Sequence, residues 1–313
     1  MAGAVQLATS GSHFERDVHH TDFFEPLNRP GSHLDSAYLA NLDIWSGADV
    51  DDSVLSSFAL LPTADISTLS SIAKPVVQML GMKASGTNLF LELVKRNIDA
   101  RVLDKLDLGY SLFWKHSPID QITAGRPANQ EHFKHVFAVA IVRNPFSILS
   151  HFFKGGPISK NMCGRMVVLD IGSVQAPCRL REKAPHWDGG KMYTVNATNA
   201  VALWNSYVRN YLDTLPHMGF KHTAVIRFED LVIQPEVAMQ QIAALAGVPL
   251  AASLDVPSAP TGPSKTTRAM AVRELAQKLY LSRFQPALRT EICRMLDSEL
   301  MRRLQYDDCD SQI

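Results

Sequence analysis

Three stretches of the chain are apolar almost without interruption, and each stops abruptly at polar residues. Pro75 to Met82 (PVVQMLGM), Val136 to Val142 (VFAVAIV) and Thr223 to Phe228 (TAVIRF) have the continuous hydrophobicity of strands covered on both faces, as parallel strands are. After each strand the period changes. Leu89, Phe90, Leu93 and Val94 recur at helical spacing with Glu92, Lys95 and Arg96 on the other side, and Phe146, Leu149, Phe152 and Phe153 form a similar stripe after Pro145. Pro235 and Gly247 bracket a third helix as its start and stop signals. A longer stripe, Val201, Trp204, Val208, Tyr211, Leu212 and Leu215, reads as core, and no chemistry is assigned to Trp204 or Tyr211. Strands alternating with helices predict an α/β fold, a single domain over 71–313 with a central parallel β-sheet covered by helices. Ligands of such sheets sit at the carboxyl ends of the strands, where the polar breaks fall.

Outside this core the patterning fades. Residues 1–70 mix Ser, Gly, Asp, His and Pro with short apolar patches and read as a leader or peripheral wrap. Residues 154–192 are rich in Gly, Pro and basic side chains. A long irregular connection between core elements is expected to shape a substrate-binding pocket.

Composition excludes several function classes. With 31 basic and 31 acidic residues among 313, no global charge draws in nucleic acid or a membrane surface, so any anion site is local. No apolar run approaches the length of a membrane helix and the first residues lack a secretory h-region, which predicts a soluble, cytoplasmic protein. Cys163, Cys178, Cys293 and Cys309 include no C-x-x-C pair and are expected to be reduced thiols rather than a disulfide framework or a metal site.

The first strand end carries the first candidate chemistry. In Lys83-Ala84-Ser85-Gly86-Thr87-Asn88, Ser85, Gly86 and Thr87 stand at a helix start, where unpaired N–H groups point outward. Gly86 permits close approach and Lys83 reaches the same charge. The Walker pattern G-x-x-x-x-G-K-[ST] is absent, and a Ser/Thr run before a helix also serves as a simple N-cap. At the second strand end Arg143 emerges from a buried strand, with Ser147 and Ser150 one turn apart on the helix that follows. Two anion sites on neighbouring strand ends fit a nucleotide with phosphates on both its 5′ and 3′ positions.

With these residues in view, positions 74 to 306 resemble the PAPS-dependent sulfotransferases, which move a sulfuryl group from 3′-phosphoadenosine-5′-phosphosulfate (PAPS) to an alcohol, phenol or amine. Lys83 to Asn88 is similar to the family's P-loop-like phosphosulfate loop, a strand–loop–helix unit. Val142-Arg143-Asn144-Pro145 through Ser150 is similar to its 3′-phosphate segment, Arg227 to Leu231 to its Y-E-D-L run, Trp114 to Pro118 to its K-T-H-L-P segment, and 292–306 to its closing helix. The resemblance implies that Lys83 neutralises the bridging oxygen while Ala84, Ser85, Gly86, Thr87 and Asn88 cradle the 5′ phosphate. It implies that Arg143 and one of Ser147, Ser150 or His151 hold the 3′ phosphate, and that His116 takes the acceptor's proton. Phe228 replaces the family tyrosine and still offers a flat apolar face; Lys265 and Arg268 are similar to the late basic segment that closes over the 3′ phosphate. The resemblance implies PAPS as donor, PAP (adenosine 3′,5′-bisphosphate) as product, a small-molecule acceptor and no metal. An inactive nucleotide-binding module of the same fold is the alternative, and a P-loop kinase the more distant one.

Overall fold

The computed structural model describes residues 74–103, 113–120, 133–153, 163, 169–183, 192–261 and 266–309. Residues 1–70 and Lys265 lie outside the described residues, as does most of 154–192. The central sheet has four parallel strands in the order β2-β1-β3-β6, namely Arg101–Leu103, Val76–Gly81, Val136–Val142 and His222–Arg227. All seven residues of β3 are buried. Successive strand residues point to opposite faces, so both faces of the sheet are covered.

The chain leaves β1, β3 and β6 into helices. β1 runs into α1, Thr87–Asn97, which buries Phe90, Leu91, Leu93 and Val94. β3 runs into α2, Pro145–Phe152, whose first residue is a proline and whose cap is Asn144, its side-chain oxygen accepting from the N–H groups of Phe146 and Ser147. A short helix α3, Ile171–Gln175, precedes the strand β4, Cys178–Lys183, which pairs antiparallel with β5, Met192–Ala197. Helix α4, Ala200–Arg209, continues through a π-turn at Asn210–Thr214 and buries Val201, Trp204, Tyr207, Val208 and Tyr211.

β6 runs into α5, Phe228–Ile233, and then α6, Pro235–Ala246, which Gly247 ends at φ 70°. Helices α1 and α6 pack on each other and on the sheet. α7, Arg268–Ala276, α8, Pro286–Met295, and α9, Ser298–Arg303, complete the chain. Among the described residues no helix is long and apolar enough to cross a membrane.

Four expectations need correction. The cysteines are not free thiols: Cys163 pairs with Cys178 and Cys293 with Cys309, across 15 and 16 positions that only the tertiary fold brings together. Residues 169–183 are not irregular but hold α3 and β4; Cys178 and Leu180 face inward while Arg179 and Arg181 are exposed, a half-buried alternation. Residues 292–306 are not one helix. The chain turns at Leu296, and Asp297 caps a new one by accepting from Glu299 N and Leu300 N. Phe228 opens α5 rather than closing β6.

The bridge at Cys293–Cys309 anchors the last described turn. Closing a loop of this length constrains the unfolded chain, so Cys309→Ser is expected to lower stability by about 3 kcal/mol. Urea unfolding of Cys309→Ser beside the oxidised wild type, with Cys163–Cys178 intact in both, measures this bridge, and coincident curves would show that it contributes nothing.

Candidate functional site

The carboxyl ends of β1 and β3 lie side by side, Gly81 paired with Ile141, and deliver their following turns to one place. The turn after β1 is tight. Ser85 N–H donates to Met82 O at 3.1 Å, and Ala84 and Gly86 both take the left-handed backbone, at φ 67° and 94°. A side chain at Gly86 would collide with the Phe228 ring, whose Cδ2 is nearest to where a Cβ would be, with Cε2 at 2.9 Å and Cγ at 3.2 Å. One at Gly81 would strike Ser85 Oγ and Thr87. Two glycines therefore let β1, its loop and α5 close on each other.

Arg143 joins the two turns. Its Nη1 donates to Ala84 O at 3.0 Å, and its guanidinium lies over the Phe228 ring at 4.3 Å. Trp204 Nε1–H donates to the Arg143 carbonyl at 3.0 Å, which gives that core tryptophan a polar partner. Burial lowers the pKa of Arg143, opposed by the charges of Glu229 and Glu274. Glu229 is held from two sides, accepting from Asn144 N–H at 3.0 Å and from the Tyr306 hydroxyl at 2.9 Å. Burial pushes the Glu229 carboxyl up, opposed by the Asn144 N–H and by Arg143.

A cavity of about 190 Å³ opens here, and Ala84, Gly86, Thr87, Asn88, Arg143 and Phe228 are among its walls. Arg268 closes another side, its Nε donating to Val232 O at 2.9 Å across the end of α5. His151 also lines the cavity, whereas Ser147 and Ser150 are buried away from it. Ser150 Oγ donates to Ser147 O at 2.7 Å, a bond internal to α2. Of the three candidates on α2, His151 is thus the one whose side chain borders the space beside Arg143.

Lys83, Ser85 and His116 are placed differently. Lys83 is half-buried at the start of the turn and is not among the lining residues of this cavity. Ser85 points inward: its Oγ, Arg143 Nε and the Tyr211 hydroxyl have no hydrogen-bond partner, and all three residues border a small enclosed space behind the loop with Met82 and Trp204. Burial raises the Tyr211 hydroxyl pKa well above its ordinary value, so it stays protonated.

His116 sits in a turn clamped to the end of β1. Gly81 N–H donates to Lys115 O at 2.9 Å, and His116 Nδ1 lies 2.6 Å from Gly81 O. A carbonyl only accepts, so Nδ1 carries the proton and, in the neutral ring, Nε2 holds the lone pair. The Tyr207 hydroxyl donates to the His116 carbonyl at 3.3 Å, and Trp114 packs edge-on against the imidazole.

Sequence reasoning missed Lys115. It is 8% exposed, and its Nζ donates to Asn88 Oδ1 at 3.1 Å, placing a second cation beside the loop. The signal was its place next to His116 in a turn already singled out. Thr266 and Thr267, also in the cavity wall, lie between Lys265 and Arg268, the two residues singled out in the GPSKTTRAM stretch. No family model and no curated protein matches the chain.

Proposed function

We propose that the chain is a sulfotransferase that moves the sulfuryl group of PAPS to a hydroxyl or amine of a small-molecule acceptor. One observation carries the reading: Arg143 at the end of β3 binds the Ala84 carbonyl of the loop after β1, so that two anion-seeking turns share one cavity. In this reading the loop N–H groups from Gly86 to Asn88 hold the 5′ phosphate at the start of α1. Arg143, His151 and Arg268 face the 3′ phosphate. Phe228, already a platform for the Arg143 guanidinium, borders the base.

The acceptor oxygen or nitrogen attacks sulfur in line as the sulfur–oxygen bond to the 5′ phosphate breaks, and PAP leaves. The acceptor's proton passes to Nε2 of His116, whose tautomer the Gly81 carbonyl fixes. Charge gathers on the bridging oxygen. Lys83, and Lys115 from its position on Asn88, supply the compensating cations. Because the donor is already activated, alignment and charge stabilisation are the main demands on the protein.

The paired cysteines favour an oxidising compartment over the cytoplasm expected from the sequence. The test is thermal unfolding with adenosine 3′,5′-bisphosphate, AMP, ADP and ATP at equal concentration. At about a hundred times its dissociation constant the bisphosphate should stabilise the fold by about 2.7 kcal/mol, a rise of several degrees, with AMP weaker. Equal shifts for all four would remove the 3′-phosphate site from Arg143, and a preference for ATP would favour the kinase reading.

A further inference from the structure

A second arginine approaches the same subsite by way of Ser150 on α2. Arg283, at the end of a short 3₁₀ turn Leu279–Arg283, donates from Nη1 to Ser150 Oγ at 3.4 Å and from Nη2 to Glu274 Oε1 at 2.5 Å. Glu274 belongs to α7 and lines the cavity that Arg143, His151 and Arg268 border. It is 2% exposed, and its second oxygen has no partner. A carboxylate so deeply buried and only half satisfied is costly, and in this place it opposes any anion entering beside Arg143.

We infer that Arg283 is a second guanidinium of the 3′-phosphate subsite and that Glu274 is an internal counter-ion which holds it until the phosphate of a nucleoside 3′-phosphate arrives. The inference rests on the nucleotide reading above. Ser150 connects the parts: it sits one residue before His151, which faces the cavity, and it accepts from Arg283. Burial lowers the pKa of Arg283, Glu274 opposes it, and the charge of Arg143 adds a smaller lowering, so two guanidiniums share one small region. Such a pair calls for an anion. A phosphomonoester presents three oxygens and more charge than a carboxylate, so it displaces Glu274 as the better partner for the fork. An AMP-like ligand, with no 3′ phosphate, leaves the Glu274–Arg283 pair in place.

The experiment compares wild type, Arg283→Ala, Arg283→Lys and Glu274→Gln, titrating each with adenosine 3′,5′-bisphosphate and with AMP by calorimetry. Arg283→Ala should weaken the bisphosphate by about ten- to a hundredfold, the worth of one charge-assisted hydrogen bond, and leave AMP unchanged. Arg283→Lys, which keeps the charge but not the fork, should recover part of that loss and keeps the test usable if the alanine variant fails to fold. Glu274→Gln should lower the melting temperature of the ligand-free protein yet tighten the bisphosphate, because the competing charge is gone. Equal weakening of both nucleotides by Arg283→Ala, or weaker bisphosphate binding by Glu274→Gln, would overturn the inference and leave the nucleotide reading standing. A wild type that binds both nucleotides equally would overturn both.

Discussion

His116→Ala is expected to lower sulfuryl transfer by about 10²- to 10⁴-fold, the usual contribution of a positioned general base, while the bisphosphate still raises the melting temperature as in wild type. The separation follows from geometry. The imidazole is attached to the end of β1 through Gly81 O and does not border the cavity that holds the nucleotide in our reading. His116→Asn sharpens the test, since its amide N–H can still donate to the Gly81 carbonyl but offers no basic nitrogen. Both variants should be equally inactive. An asparagine variant within tenfold of wild type would reduce His116 to a structural clamp, and the proton would have to leave by another route.

Gly86→Ala should abolish nucleotide-induced stabilisation and cost more stability than the same change at Gly219. The two glycines make a matched pair. Both have positive φ, 94° and 83°, so alanine strains the backbone at each by about 1–2 kcal/mol. Only Gly86 has a neighbour: a methyl there meets the Phe228 ring, whereas nothing lies within 4 Å of a methyl at Gly219. Relieving that collision must move either the loop or the ring, and the ring supports the Arg143 guanidinium. Unfolding curves with and without adenosine 3′,5′-bisphosphate measure both effects. If the two variants behave alike, the packing of Phe228 on the loop has no part in binding.

The core strands were legible because a parallel strand buried on both faces has to be apolar throughout. Val136–Val142 is found with the bounds its composition implies, and the first strand is found one residue shorter at each end. Phe228 misled for a physical reason: an apolar residue after an apolar run extends a strand on paper, but here it turns away to lie under Arg143. The turn after β1 and Arg143 could be found from their places at strand ends, whereas Arg268 was singled out only by the resemblance of its stretch to a family segment. Lys115 and Arg283 were not assigned, because the contacts that single them out come from partners far off in sequence, Asn88 for Lys115 and Ser150 for Arg283. The disulfides were hidden for the same reason. Spacing alone does not say that 16 residues fold back on themselves, as those between Cys293 and Cys309 do around the break at Leu296.

The strand order also bears on how the chain reaches its native state. No two neighbours in the four-stranded sheet are joined by a hairpin, and β3 must wait for β6, which follows the whole of β4, β5 and α4. Closing such distant pairs is slow, and meanwhile the seven-residue run VFAVAIV stands with high β-propensity and no charge, as a segment able to pair with its copy in another chain. Nascent protein is therefore most vulnerable between synthesis of β3 and synthesis of β6.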